Sequence, residues 1–226
     1  MSDTRHFGLI GGLGVGAAVL YYQEIVRMCA ERGRVARLTL AHANAPTALA
    51  HVQAGRIAGL ADYLSGFIGE LKQAGASIVA IPAITPHICR AELRERIDLE
   101  FVDILDVVRD QLNARRLHRV AIFGTSFTID SDLFGALHGI DIVRPRQSEV
   151  AEIHRIYLEL AQKGACSPED VNNLRAMVLE ICARDNVESI LLAGTDLNLI
   201  FNEATAGFPA VDCAAAHITE IVDRMC

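Results

Sequence analysis

The chain predicts an α/β fold made of two pseudosymmetric lobes, each a parallel sheet flanked by helices. Three observations carry that expectation. Short apolar runs alternate with segments whose apolar residues recur every three or four positions, the order that successive βαβ units require. The runs are hydrophobic at consecutive positions, as in Ser77-Ile78-Val79-Ala80-Ile81, which fits strands covered on both faces. A basic lead-in, a buried strand and a glycine turn also occur together twice, at residues 5–12 and 118–125. Each is followed by a later strand ending in a threonine-bearing turn, at Thr85 and at Thr195. In open α/β sheets ligands lie beyond the carboxyl ends of the strands, so function is expected in these turns.

The first strand, residues 7–11, runs into Gly11-Gly12-Leu13-Gly14-Val15-Gly16-Ala17 at the head of a helix. Three readings of these glycines stay open. They serve a tight strand-to-helix turn, or they let backbone N–H groups and a helix N-terminus face a carboxylate. The third is a loose dinucleotide fingerprint, Gly12-x-Gly14-x-x-Ala17. Against it, the second strand, residues 37–42, leads into Ala43-Asn44 without the acidic residue that would hold a ribose. A helix follows at 57–74. The third strand, 77–81, ends in Pro82-Ala83-Ile84-Thr85-Pro86-His87. Thr85 fits a helix cap with Pro86 at the first helical position, and the same geometry points its hydroxyl into a cleft. The fourth strand is 100–102, and the rise in charge at Asn113-Ala114-Arg115 marks a lobe boundary.

The fifth strand, 119–123, ends in Gly124-Thr125-Ser126-Phe127-Thr128-Ile129-Asp130-Ser131. Asp130 or Ser131 would suffice to start a helix. The hydroxyls of Thr125, Ser126 and Thr128 are more than a cap requires, which favours ligand binding there. The sixth strand is 141–143 and a helix covers 150–163. The seventh strand, 188–192, ends in Ala193-Gly194-Thr195-Asp196, and the eighth is 210–211.

Composition bounds the function. With 226 residues, 51% of them hydrophobic, and a mean hydropathy of +0.28, the chain is long and apolar enough to bury a sizeable core. No apolar run reaches the length of about 20 residues that spans a bilayer. The opening residues lead straight into a strand without a signal-peptide core, so no membrane association and a cytoplasmic location are expected. A net charge of −7 excludes nucleic acid as a partner, because phosphate binding needs a basic face. The six cysteines show no C-x-x-C spacing and are expected as free thiols. His42, His87 and His217 fall near strand ends or helix starts, and no His-x-x-x-His spacing points to a metal.

Taken together, these segments resemble the aspartate/glutamate racemase family over nearly the whole chain. Ile10-Gly11-Gly12-Leu13-Gly14 is similar to the family's opening Gly-Gly-Met-Gly-Pro turn, and Asn44-Ala45-Pro46 to its Asn-rich loop after strand two. Thr125-Ser126-Phe127-Thr128-Ile129 resembles its Thr-Thr-Gly-Thr turn, and Phe208-Pro209-Ala210-Val211-Asp212 its closing strand. The resemblance implies a first lobe of residues 1–112 plus 209–226 and a second of 113–208. It implies a site for a small carboxylate or acidic amino acid between them, no cofactor, and a homodimer. In the family one cysteine thiolate removes the α-proton and an opposed thiol delivers one to the other face. Here those positions, in segments that resemble Pro-Cys-Asn-Thr-x-His and Gly-Cys-Thr-Glu, read Ala83 and Gly194. The expectation is therefore a racemase-like protein with altered, one-base chemistry. Asp196 and His87 are its catalytic candidates, with Gly12, Asn44, Thr85, Thr125, Ser126, Thr128 and Thr195 around the substrate. A ligand-binding protein without turnover and a residual racemase are the alternatives.

Overall fold

A computed structural model describes residues 4–226. The chain divides into two compact units. The first ends at Ile104 and resumes at His217, and the second is Leu105–Ala216.

In the first unit, β1 (His6–Gly11), β2 (Arg37–His42), β3 (Ile78–Ala80) and β4 (Glu100–Val102) form a parallel sheet in the order β2-β1-β3-β4. Its helices are α1 (Val15–Glu31), α2 (Ala45–Gln53), α3 (Ile57–Gln73) and α4 (Arg90–Arg96). The central strand β1 is buried from Phe7 onward, as consecutive apolar positions require when helices cover both faces. Against it pack Tyr21, Ile25 and Cys29 of α1 and Leu60, Leu64, Ile68 and Leu71 of α3, each at most 2% exposed.

The second unit repeats the plan. After α5 (Ile104–Ala114), β5 (Arg119–Phe123), β6 (Asp141–Val143), β7 (Ser189–Leu192) and β8 (Ala210–Asp212) form a parallel sheet in the order β6-β5-β7-β8. Its further helices are α6 (Ser126–Asp130), α7 (Gln147–Lys163) and α8 (Pro168–Asp185). A 3₁₀ helix follows the third strand of each sheet, Thr85–Cys89 after β3 and Thr195–Leu199 after β7. Thr85 and Thr195 thus stand at matching places in two like sheets, as the paired sequence pattern implies. The last helix, α9 (Cys213–Met225), begins in the second unit and enters the first at His217.

The division differs from the expected 1–112 plus 209–226. Residues 210–212 pair with β7 through Ile190↔Ala210, Leu191↔Val211 and Leu192↔Asp212, so this strand completes the second sheet. Arg115, just after α5, bonds Glu203 and the Ala210 carbonyl, which ties that helix end to the second unit as well. Among the described residues no helix is long and apolar enough to cross a membrane.

Candidate functional site

In the first unit the strand-end turns are held by close backbone contacts. Gly12 has φ +85°, and a Cβ there would lie 2.0 Å from the Ala43 carbonyl oxygen, so only glycine lets the turn after β1 pass the turn after β2. Gly14 precedes α1 without a side-chain cap, which leaves the first-turn N–H groups to solvent or a ligand. Beside it opens a largely apolar groove of about 420 Å³, lined by Gly12, Val15, Val19, Tyr22, Leu40 and His42 among others. Asn44 is committed locally. Its Oδ1 accepts the Thr47 N–H at 2.9 Å and the Thr47 hydroxyl at 3.0 Å, capping α2, and its own N–H donates to the Tyr63 hydroxyl at 2.7 Å.

After β3, Ala83 and Thr85 are half-buried while His87 is only 1% exposed. The His87 ring stacks on Phe101 with centroids 5.5 Å apart, and Nδ1 lies 2.8 Å from the Ala83 carbonyl. A carbonyl can only accept, so Nδ1 carries the proton. Nε2 is buried without a hydrogen-bond partner and faces Asp103 Oδ1 at 3.9 Å. Burial holds the His87 pKa below its ordinary value, against the opposing pull of Asp103. Asp103 is itself paired with Arg94 at 2.8 Å and Arg90 at 3.3 Å. His87 therefore anchors the turn carrying Ala83 and presents no ring atom to an incoming substrate. His217 is likewise interior, its Nε2–H donating to the Val102 carbonyl and its Nδ1 accepting from Tyr21, each at 2.9 Å. Its pKa is pushed down to about 3, chiefly by burial.

In the second unit, Thr125 Oγ1 accepts the Thr128 N–H at 3.1 Å and lies 2.9 Å from Thr128 Oγ1. The Thr125 hydroxyl thus caps α6, while Ser126 is half-buried and donates its N–H to His154 Nδ1 at 3.2 Å. After β7, Thr195 and Asp196 are buried at the start of the 3₁₀ helix. A Cβ built on Gly194 would meet Tyr157 Cε2 at 2.2 Å and Cδ2 at 2.8 Å. The Tyr157 ring, arriving from α7, thus fills the space a side chain at 194 would take. Its hydroxyl donates to Asp196 Oδ2 at 3.0 Å. Burial, then the charge of Asp196, holds the phenol well above its ordinary range, so Tyr157 is a neutral donor.

The structure groups Gly194, Thr195 and Asp196 with Tyr157, and Thr125, Ser126 and Thr128 with His154. Neither partner stood out in the sequence. Tyr157 shares its helix face with Val150, Ile153, Ile156 and Leu160 and reads as core. Its hydroxyl, which needs a partner once buried, is the one hint. Among the described residues no group of three or more His, Cys, Asp or Glu is placed to hold a metal.

Two parallel four-stranded sheets with hydroxyl- and glycine-bearing turns at the carboxyl ends of their strands place the chain in the α/β class of folds. Residues 10–221 match the model of the Asp/Glu/hydantoin racemase family, and the chain belongs to that family. Its fold is shared with a candidate Asp/Glu racemase from Yersinia pestis (24% identity, 97% and 98% of the two chains covered, TM-score 0.86). It is also that of an aspartate racemase homologue from Pyrococcus horikoshii OT3 (21% identity, 97% and 98% covered, TM-score 0.85). An arylmalonate decarboxylase is a more distant structural relative (16% identity, 98% and 92% covered, TM-score 0.51).

Proposed function

We propose that this chain is a small-carboxylate enzyme of the family in which both thiols are replaced, at Ala83 and Gly194, and Asp196 handles the proton at the substrate α-carbon with Tyr157 beside it. One observation carries the reading: the Tyr157 ring occupies the volume that a side chain at 194 needs, and its hydroxyl is bonded to Asp196. A carboxylate can take a proton as a base and return it as an acid, and a neutral phenol donating to it keeps it aimed. One base works at one face of the carbon. That supports isomerisation, decarboxylation or elimination in place of the two-faced exchange of a racemase. A fold shared with an arylmalonate decarboxylase is compatible with such chemistry.

Substrate binding falls to the strand-end turns. In this reading the uncapped start of α1 beyond Gly12 takes a carboxylate, because N–H groups and the helix dipole favour negative charge there. Thr85 supplies a further polar contact in the first unit and Ser126 and Thr195 in the second, while Asn44, Thr125 and Thr128 shape their own turns. His87 is a positioning residue for the Ala83 turn.

The test is proton NMR of small mono- and dicarboxylates, including both enantiomers of aspartate and glutamate, incubated with the protein in D2O. The expected result is loss of an α-proton signal or conversion of one acid. Asp196→Asn then slows turnover by about 10²-fold or more while the acid still binds. Wild-type turnover in that variant removes Asp196 from the mechanism. Asp196 is only 8% exposed and already bonded to Tyr157, which favours a second reading, a binding protein without turnover. Line broadening for one acid with no exchange or conversion decides for it.

A further inference from the structure

We propose that Cys29 and Cys226 are a redox-modifiable pair that closes into a disulfide, joining the last turn of α1 to the end of α9. Their Sγ atoms lie 3.5 Å apart, although the residues are separated by 197 positions. A disulfide needs about 2.05 Å, a gap that small side-chain rotations can close. The backbone around them is already fixed. Tyr21 of α1 donates to His217 of α9 at 2.9 Å, and Arg32, just after α1, pairs with Asp223, so the two helices are joined on either side of Cys29 and at two points ahead of Cys226. The other four cysteines differ. Cys89 donates to the Pro86 carbonyl at 3.2 Å, and Cys166, Cys182 and Cys213 show no sulfur partner among the bonds of the described residues.

The two thiols also differ from each other in the way a stepwise exchange requires. Cys29 is fully buried, and burial, reinforced by Cys226, pushes its thiol up to about 12, so it does not react with solution oxidants directly. Cys226 is half-exposed. With a low-molecular-weight disulfide as the oxidant, the Cys226 thiolate attacks one sulfur. The oxidant's S–S bond breaks, and its other half leaves as a thiolate and takes up a proton. Cys29 then loses its proton and attacks Cys226 Sγ, forming the protein disulfide and releasing the second thiol. Two protein thiols are oxidised and one external disulfide is reduced to two thiols.

The experiment incubates the full chain with glutathione disulfide and follows intact mass, thiol titre and peptide map. The expected result is a fall from six thiols to four, a mass lower by two hydrogens, and one cross-linked peptide pair containing Cys29 and Cys226. Dithiothreitol restores all of them. The oxidised chain melts about 5 °C or more higher, because the bond closes a long loop of the unfolded chain. Cys226→Ser abolishes the cross-link, and Cys29→Ser leaves glutathione trapped on Cys226. Retention of all six thiols, or a wild-type chain that keeps a glutathione adduct without cross-linking, overturns the proposal.

Discussion

At residue 194 the packing admits a hydrogen and nothing larger. The limit is set by an aromatic ring whose position is fixed twice, by the buried face of α7 and by the hydrogen bond to Asp196. Installing a thiol there is accordingly more than a local change. Gly194→Cys places a Cβ 2.2 Å from Tyr157 Cε2, and relief requires the ring to move and give up its carboxylate partner. Overpacking of this kind costs about 1–3 kcal/mol. Tyr157→Ala empties the same volume, so the two changes should compensate in part. In urea unfolding, the double variant is expected to be more stable than the sum of the two single losses by about 1 kcal/mol or more. Strict additivity would show that the ring is not what excludes a side chain at 194. Gly12 is a different case: its neighbour is the Ala43 backbone, and no compensating side-chain deletion exists.

At the scale of elements, helix starts decide how strand ends are presented. Asp212 closes β8 and caps α9, with Oδ1 accepting the N–H groups of Ala214 and Ala215 at 3.0 Å each. The Asn198 amide donates to its other oxygen, which joins the 3₁₀ helix after β7 to the start of α9. Asp212→Ala removes the cap and leaves buried N–H groups unsatisfied, an expected cost of about 1–2 kcal/mol. Asp212→Asn keeps the capping oxygen and should lose less than half of that. Equal losses in thermal melts would mean that charge matters there more than capping. The strands themselves were legible in the sequence because consecutive apolar positions leave few alternatives, and all eight were placed to within a residue or two of their ends. The turns were legible as places but not as parts. Thr125 read as a ligand contact is half of a cap, because the sequence does not show that Thr128 folds back onto it. Tyr157 was hidden because its helix face is apolar and its partner lies 39 residues away. The unit boundary was missed because the pairing of β8 with β7 is a contact distant in sequence.

At the scale of the molecule, the two compact units carry their ionisable groups differently, and this predicts how acid unfolds the protein. The interior of the first unit holds His87 and His217, both kept neutral by burial. For His217 the folded pKa is about 3 against an ordinary 6.5. Above 6.5 neither folded nor unfolded chain binds the proton, and its stabilising effect is whole. As the pH falls from 6.5 towards 3, the unfolded chain takes up a proton that the folded one refuses, so stability declines by up to about 1.4 kcal/mol per pH unit from this group alone. His87 adds to the decline in the same direction. Among the described residues, the buried polar groups of the second unit are Thr128, Glu149, Ser189, Thr195, Asp196 and Asp212, with no histidine. Its Glu149, drawn below the ordinary carboxylate range by Arg184, loses its contribution only as the pH drops through 4.5 and lower. Between pH 6.5 and 5 the first unit should therefore weaken while the second holds. Urea unfolding followed by circular dichroism is expected to give a transition that broadens or splits as the pH is lowered across that range. His217→Gln, which can still donate to the Val102 carbonyl, should start from a lower stability at pH 7.5 but lose less on acidification. An unchanged slope in that variant would move the origin of acid sensitivity away from the core of the first unit.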